Sequence, residues 1–229
     1  MNAPLKVLSS MATREMLAEL VSSYSRETSD PVSAEAGGGV AIAKRVQGDE
    51  ACDVVVLALN AIDQLIGAGK LLDGSRVDLV RSGIGIAVPH GANHPAVADE
   101  TAVRAAVLGA ARLSYSTGPS GVYLEKLFAR WGILEQIQPR IIVPPPGVPV
   151  GSLLARGECD LGFQQLSELL TLPGIEVVGP LPPSIQLMTT FSGAIAAQCS
   201  EPQRASRLLS YLAMPATAAV KRRFGMEPA

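Results

Sequence analysis

The 229-residue chain is poor in aromatic side chains, with Phe, Trp and Tyr at 4%. Base-stacking surfaces need such rings, so their scarcity argues against nucleic-acid binding. A formal net charge of −2 takes away the other half of that case, the basic footprint that attracts phosphate backbones. Cysteine is scarce too. Cys52, Cys159 and Cys199 are odd in number and far apart in sequence, which gives neither a disulfide framework nor a metal-ligand spacing. They are expected to be buried structural thiols, and the chain is expected to need no metal and no cofactor. No apolar run approaches the ~18 residues of a membrane span. The start, Met1 to Leu8, lacks a basic segment, an apolar h-region and a small-residue cleavage site. The expectation is a cytoplasmic protein as the sequence stands. Where an export signal has been trimmed, a periplasmic protein with an ABC permease as partner is expected instead.

What remains is an ordinary globular composition, 48% hydrophobic and 17% charged, long enough for a large core. Short apolar runs alternate with helical patterns. Leu5–Leu8 reads as a strand, followed by a Ser9-Ser10 turn and a helix whose face carries Met11, Met16, Leu17, Leu20, Val21 and Tyr24. Pro31–Ala36 reads as a strand, Gly37–Gly39 as a tight connection and Val40–Val46 as a helix. The run Cys52–Leu59 suits a strand buried on both faces. Ala61–Ala68 is then a helix, and Leu79–Val88 a strand that Pro89 ends. This β-α-β-α-β-α-β alternation predicts a parallel sheet flanked by helices, with ligands at the carboxyl ends of its strands.

A second unit of the same kind follows. Its centre is Ser114-Tyr115-Ser116-Thr117-Gly118-Pro119-Ser120-Gly121, a strand end, a hydroxyl-rich turn and a helix start. The free N–H groups of such a start attract anions. Ile141–Val143 reads as a strand ended by Pro144–Pro146, Pro149–Arg156 as a short helix, Cys159–Phe163 as a strand and Gln164–Leu169 as a helix start. Gln186–Ala197 reads as one long crossing strand, and the tail as two helices, Glu201–Leu212 and Pro215–Phe224.

Taken in order, Val7–Ala12, Gly37–Gly39 with Ala41 and Ile42, Cys52–Val56, Thr117–Tyr123, Ala155–Phe163 and Leu209–Phe224 make the chain resemble the type 2 periplasmic solute-binding fold. The closest resemblance is to its molybdate-binding branch, which also holds enzymes that interconvert the aconitate isomers. The resemblance implies an α/β protein of two lobes, each a mostly parallel sheet flanked by helices. Lobe 1 would be 1–81 plus 191–229 and lobe 2 would be 82–190, with the ligand in the cleft between them.

It also implies where this chain departs. Molybdate binders of that branch use a serine in loop 1 and another in loop 2, and here Ala12 and Gly39 stand at those places. Ser120 stands where they have alanine, and Gln165 where they have tyrosine. The expected ligand is therefore a small organic anion, a di- or tricarboxylate, rather than a tetrahedral oxyanion. The expected binding residues are Ser9, Ser10, Met11, Gly38, Gly39, Arg81, Ser116, Thr117, Ser120, Gly147 and Gln165. Arg81 is the candidate carboxylate clamp, since its fork suits two oxygens; Arg14 and Lys44 read as solvated helix charges. An isomerase on the same fold would need a general base. Glu35, beside the glycines, is the candidate, against a solvated edge-strand glutamate. His90 and His94 read as loop histidines, Tyr123 as core and Tyr115 as facing the cleft.

Overall fold

The computed structural model describes residues 3–145 and 147–229. Met1 and Asn2, and Pro146 at the end of the proline run, lie outside the described residues. Two compact units emerge, Met1–Ser82 with Thr190–Ala229, and Gly83–Thr189.

Unit 1 begins with β1 (Leu5–Ser10), a 3-10 turn at Met11–Thr13, α1 (Arg14–Thr28), β2 (Val32–Gly37), α2 (Gly39–Gln47), β3 (Val54–Ala58), α3 (Leu59–Gly67) and β4 (Val77–Ser82). β1 pairs in parallel with β2 and with β3, placing Ser10 opposite Gly37 and Ser9 opposite Val56. All five residues of β3 are buried, as an apolar run between two covered faces requires. Side chains of β1 alternate between those faces. Leu5 and Val7 join the core under α1 with Met16, Leu17 and Leu20. Leu8 joins the opposite core with Ile42, Val55, Leu57 and Ile62.

Unit 2 holds β5 (Ile84–Pro89), α4 (Glu100–Gly109), β6 (Leu113–Tyr115), α5 (Pro119–Arg130), α6 (Leu134–Ile137), α7 (Val150–Ala155), β7 (Leu161–Gln165), α8 (Leu166–Leu169) and β8 (Ile175–Pro180). Its sheet runs in the order β6-β7-β5-β8. One face packs Tyr115, Leu124, Phe128, Leu161 and Phe163 together. The other packs Val150, Leu153, Leu154 and Cys159 under α7. The chain then returns to unit 1 through β9 (Thr189–Ile195), α9 (Pro202–Ala213), α10 (Ala218–Arg223) and β10 (Glu227–Pro228), which complete the order β10-β4-β9-β3-β1-β2.

The two α/β units with helix-flanked sheets match the expected class, but the sheets are mixed rather than mostly parallel. β9 runs antiparallel to β3, β10 to β4, and β5 to both β7 and β8. A strand delivered by a right-handed βαβ crossover is parallel to its neighbour; these strands arrive by other connections and insert the opposite way.

Other expectations are corrected as well. The single strand Leu79–Val88 is two strands, β4 and β5, separated at Gly83. Ser9 and Ser10 belong to β1 rather than to a turn. Ile141–Val143 makes only a bridge from Ile141 to Leu113, because the prolines that follow have no N–H to extend a ladder. The long crossing strand shortens to Thr189–Ile195. Before it, the Gln186 amide accepts from Ile84 N at 2.8 Å and donates to Ile84 O at 3.0 Å, so a side chain takes the place of a strand partner.

Candidate functional site

In unit 1, the strand ends of β1, β2 and β3 are followed by helices whose first residues are Arg14, Gly39 and Leu59. Gly38 and Ala58 stand at the N-cap positions of α2 and α3 without a side-chain cap bond, so the first N–H groups of those helices are left for solvent or a ligand. Ser10 and Gly39 are brought together: a Cβ added at Gly39 would lie 4.0 Å from Ser10 Oγ, with Leu57 Cδ2 at 3.9 Å. Ser10 Oγ already accepts from Ala12 N at 3.2 Å and so caps the turn holding Met11.

Ser9 is not part of this group. Alternation turns its side chain to the α1 face, where its Oγ donates to Glu35 O at 3.3 Å. Arg81 lies on β4 beside β10, exposed, with Nη2 3.4 Å from Pro228 O. Glu35 is a poor base. It is exposed, it pairs with Arg45 at 2.6 Å, and the guanidinium holds its carboxyl below the usual range. Arg45 also grips Glu50, which Lys6 joins, and Glu50 is lowered to about 2. These charges form a surface network. Arg14 is bonded to Glu15 at 2.6 Å.

In unit 2, the turn after β6 is fixed by backbone approach. A Cβ on Gly121 would lie 1.6 Å from the Ser116 carbonyl oxygen, so no other residue fits there. The turn brings Ser116 and Ser120 together, their hydroxyl oxygens 2.7 Å apart. Ser120 is buried, Thr117 exposed, and α5 begins after Gly118 without a side-chain cap bond. Gln165 ends β7, 4% exposed, and its Nε2 donates to Thr189 Oγ1 at 3.0 Å. Gly147 occupies a left-handed turn, φ 77°, ahead of α7. Tyr115, expected to face the cleft, is core: it packs on Phe128, bonds Glu125, and burial raises its pKa. Tyr123 is anchored through Ile185 O at 2.8 Å, and His90 and His94 both bond Glu176.

Three residues escaped the sequence reading. Gln164 Nε2 donates to Glu168 Oε2 at 2.5 Å, which fixes the amide orientation, since an ionised carboxylate only accepts. Gln164 Oε1 and Ser167 Oγ are then buried with no hydrogen-bond partner among the described residues. Glu168 is half-buried one turn beyond Gln165. The signal available in the sequence was Gln-Gln-Leu-Ser-Glu at a strand end, a polar cluster where the strand pattern asks for apolar residues. Among the described residues no cluster of His, Cys, Asp and Glu could hold a metal ion. Cys52 and Cys159 are buried, raised to about 11 and about 12 by desolvation, and unreactive as thiols at neutral pH.

Two α/β units, with mixed sheets and helices that start uncapped at strand ends, define a type 2 periplasmic-binding-protein-like fold. The chain belongs to the bacterial extracellular solute-binding protein family, whose model matches residues 5–227. It is 37% identical over 230 residues to an aconitate isomerase of Pseudomonas sp, covering 98% of this chain and 87% of that protein. Among solved structures, the periplasmic molybdate-binding protein of Azotobacter vinelandii superposes with a TM-score of 0.82 at 19% identity, covering 97% of this chain and 98% of that one. Peb3 of Campylobacter jejuni superposes with a TM-score of 0.72 at 14% identity, covering 97% and 99%. At such identities the structural likeness speaks for the fold alone.

Proposed function

We propose that the chain binds a small polycarboxylate of the aconitate class at its strand ends and interconverts the cis and trans isomers. The observation that carries this reading is the 37% identity, across 98% of the chain, with a protein named aconitate isomerase. The reaction is an allylic proton shift. A base takes a proton from the methylene carbon beside the double bond, the electron pair moves to form the new double bond, and a proton returns to the former vinylic carbon. Nothing is oxidised or reduced, so the demands on the protein are orientation and one acid-base group.

The residues on hand suit those demands. In unit 1 the uncapped N–H groups that open α2 and the Ser10 hydroxyl suit a carboxylate, and in unit 2 so do the N–H groups that open α5 and the hydroxyls of Ser116, Thr117 and Ser120. Gln165 and Arg81 remain candidate contacts. With Glu35 neutralised by Arg45, the proton transfer is assigned to Glu168, which Gln164 orients.

A second reading, a receptor that binds without turnover, is favoured by the match to extracellular solute-binding proteins. Incubation with trans-aconitate in heavy water, followed by NMR, separates the two. Isomerisation with deuterium entering the methylene carbon supports the isomerase. Binding without exchange supports the receptor, and neither binding nor exchange overturns both. Under the first reading, Glu168→Gln lowers exchange by about 10²–10⁴ while calorimetric affinity stays within about tenfold. Unchanged exchange in that variant removes Glu168 from the mechanism.

A further inference from the structure

We propose that unit 1 carries a separate peptide-binding surface, the groove between α1 and the free edge of β2, and that its occupant is an extended segment with acidic residues at both ends. The groove encloses about 520 Å³. Its helix side is formed by Arg14, Ala18, Val21 and Ser25, one stripe of α1 at three- and four-residue spacing, and its strand side by Val32 and Ala34 of β2.

β2 is the last strand of the six-stranded sheet and among the described residues is paired only with β1. Its outer edge therefore presents a row of unpaired N–H and C=O groups. Natural edges are usually blunted by lysine, proline, a bulge or a covering element. Val-Ser-Ala-Glu-Ala-Gly has none of these. Its one charge, Glu35, is taken up by Arg45. A helix alongside an open strand edge is the geometry in which an added strand gains backbone hydrogen bonds and seats alternate side chains in the groove.

Charge sets the occupant. Because β1 and β2 are parallel and α1 joins them, α1 runs antiparallel to β2, so Arg14 at its start lies towards the Ala36 end of the groove and Arg26 near its finish towards the Val32 end. Arg26 donates to Ser23 Oγ at 3.1 Å and makes no ion pair among the described residues. Arg14 gives Nε and Nη2 to Glu15, which leaves Nη1 to donate. The helix between them rises about 18 Å over 12 residues, the span of an extended segment of about six residues. A second copy of this chain is the wrong occupant. Antiparallel β2–β2 pairing would bring Arg14 of each copy towards Arg26 of the other, like charge against like.

The test uses the whole protein and a hexapeptide of alternating valine and threonine with aspartate at each end. Fluorescence anisotropy measures affinity, and amide hydrogen exchange reads β2. The expected result is saturable binding, with exchange of the outward-facing Ala34 and Ala36 amides slowed about tenfold or more and with Arg26→Glu weakening binding about tenfold. Ala34→Pro is expected to abolish binding. If that variant does not fold, the surface change Arg26→Glu still decides. Aconitate binding in Arg26→Glu is expected to be unchanged. No protection of β2 at millimolar peptide overturns the proposal, as does equal binding of a control hexapeptide with lysine in place of each aspartate. Protection that appears only with self-association overturns it in favour of a second copy.

Discussion

The strand ends of the two units are built from different materials. In unit 1 the sequence supplies glycines, and the Ser10 hydroxyl beside them accepts from its own turn, which leaves its hydrogen to donate. What this end offers is backbone: uncapped N–H groups at α2 and α3. In unit 2 the sequence supplies side chains. Ser116 and Ser120 bond each other, Gln165 bonds Thr189, and Gln164 Oε1 and Ser167 Oγ remain unspent in the interior. Backbone donors recognise charge and tolerate variety in shape, whereas buried side-chain groups discriminate, because a wrong ligand leaves them unpaired. Unit 1 thus offers donors that respond to charge, and unit 2 offers side-chain groups that respond to shape and hydrogen-bonding pattern.

The comparison can be broken most severely at Gly121. Gly121→Ala places a methyl inside the Ser116 carbonyl contact, and a loss of about 4 kcal/mol or more in denaturant unfolding is expected. Gly38→Ala, whose added Cβ meets nothing within 4 Å, should cost far less. If the two variants are equally stable, the unit 2 turn is not fixed as described.

Next in size is Asp30→Ala in unit 1, which leaves Arg204, only 6% exposed, without its main partner; about 3 kcal/mol is expected. The same pair gives unit 1 an acid sensitivity. Arg204 lowers the Asp30 carboxyl, so its contribution is complete above the ordinary carboxylate range and is lost as pH falls through the lowered folded-state value. Chemical denaturation from pH 5 downwards should show this slope in the native protein and a shallower one in Asp30→Ala.

Ser167→Ala sharpens the comparison in the other direction. Removing a buried hydroxyl that has no partner among the described residues should leave stability unchanged or raise it by up to about 1 kcal/mol, and under the proposed function it should weaken aconitate binding several-fold. A rise in stability with unchanged affinity would assign Ser167 to the interior alone. The smallest effect is expected at Gly39→Ser. The added atoms find room beside Ser10 and Leu57, so thermal stability should change by no more than about 0.5 kcal/mol. The new hydroxyl tests selectivity directly: titration with molybdate should show binding gained over the native chain.

The sequence by itself determined most of the elements. Apolar runs such as Val54–Ala58 marked buried strands, helical stripes such as Met16 to Tyr24 marked faces, and Ser116 to Gly121 marked a hydroxyl-rich turn before a helix. These signals are local, set by periods of two or 3.6 residues and by backbone sterics. Tertiary structure alone decided what depended on distant partners. β9 and β10 insert antiparallel because of where the chain enters the sheet. Glu35 loses its basicity to Arg45, ten residues on, in a network that reaches Lys6 and Glu50. Ser9 and Ser10, adjacent in sequence, face opposite cores because strand side chains alternate. Gln164 and Ser167 read as ordinary polar residues of a helix start until packing buried them, because an unsatisfied group is defined by everything around it and not by its own neighbours in the chain.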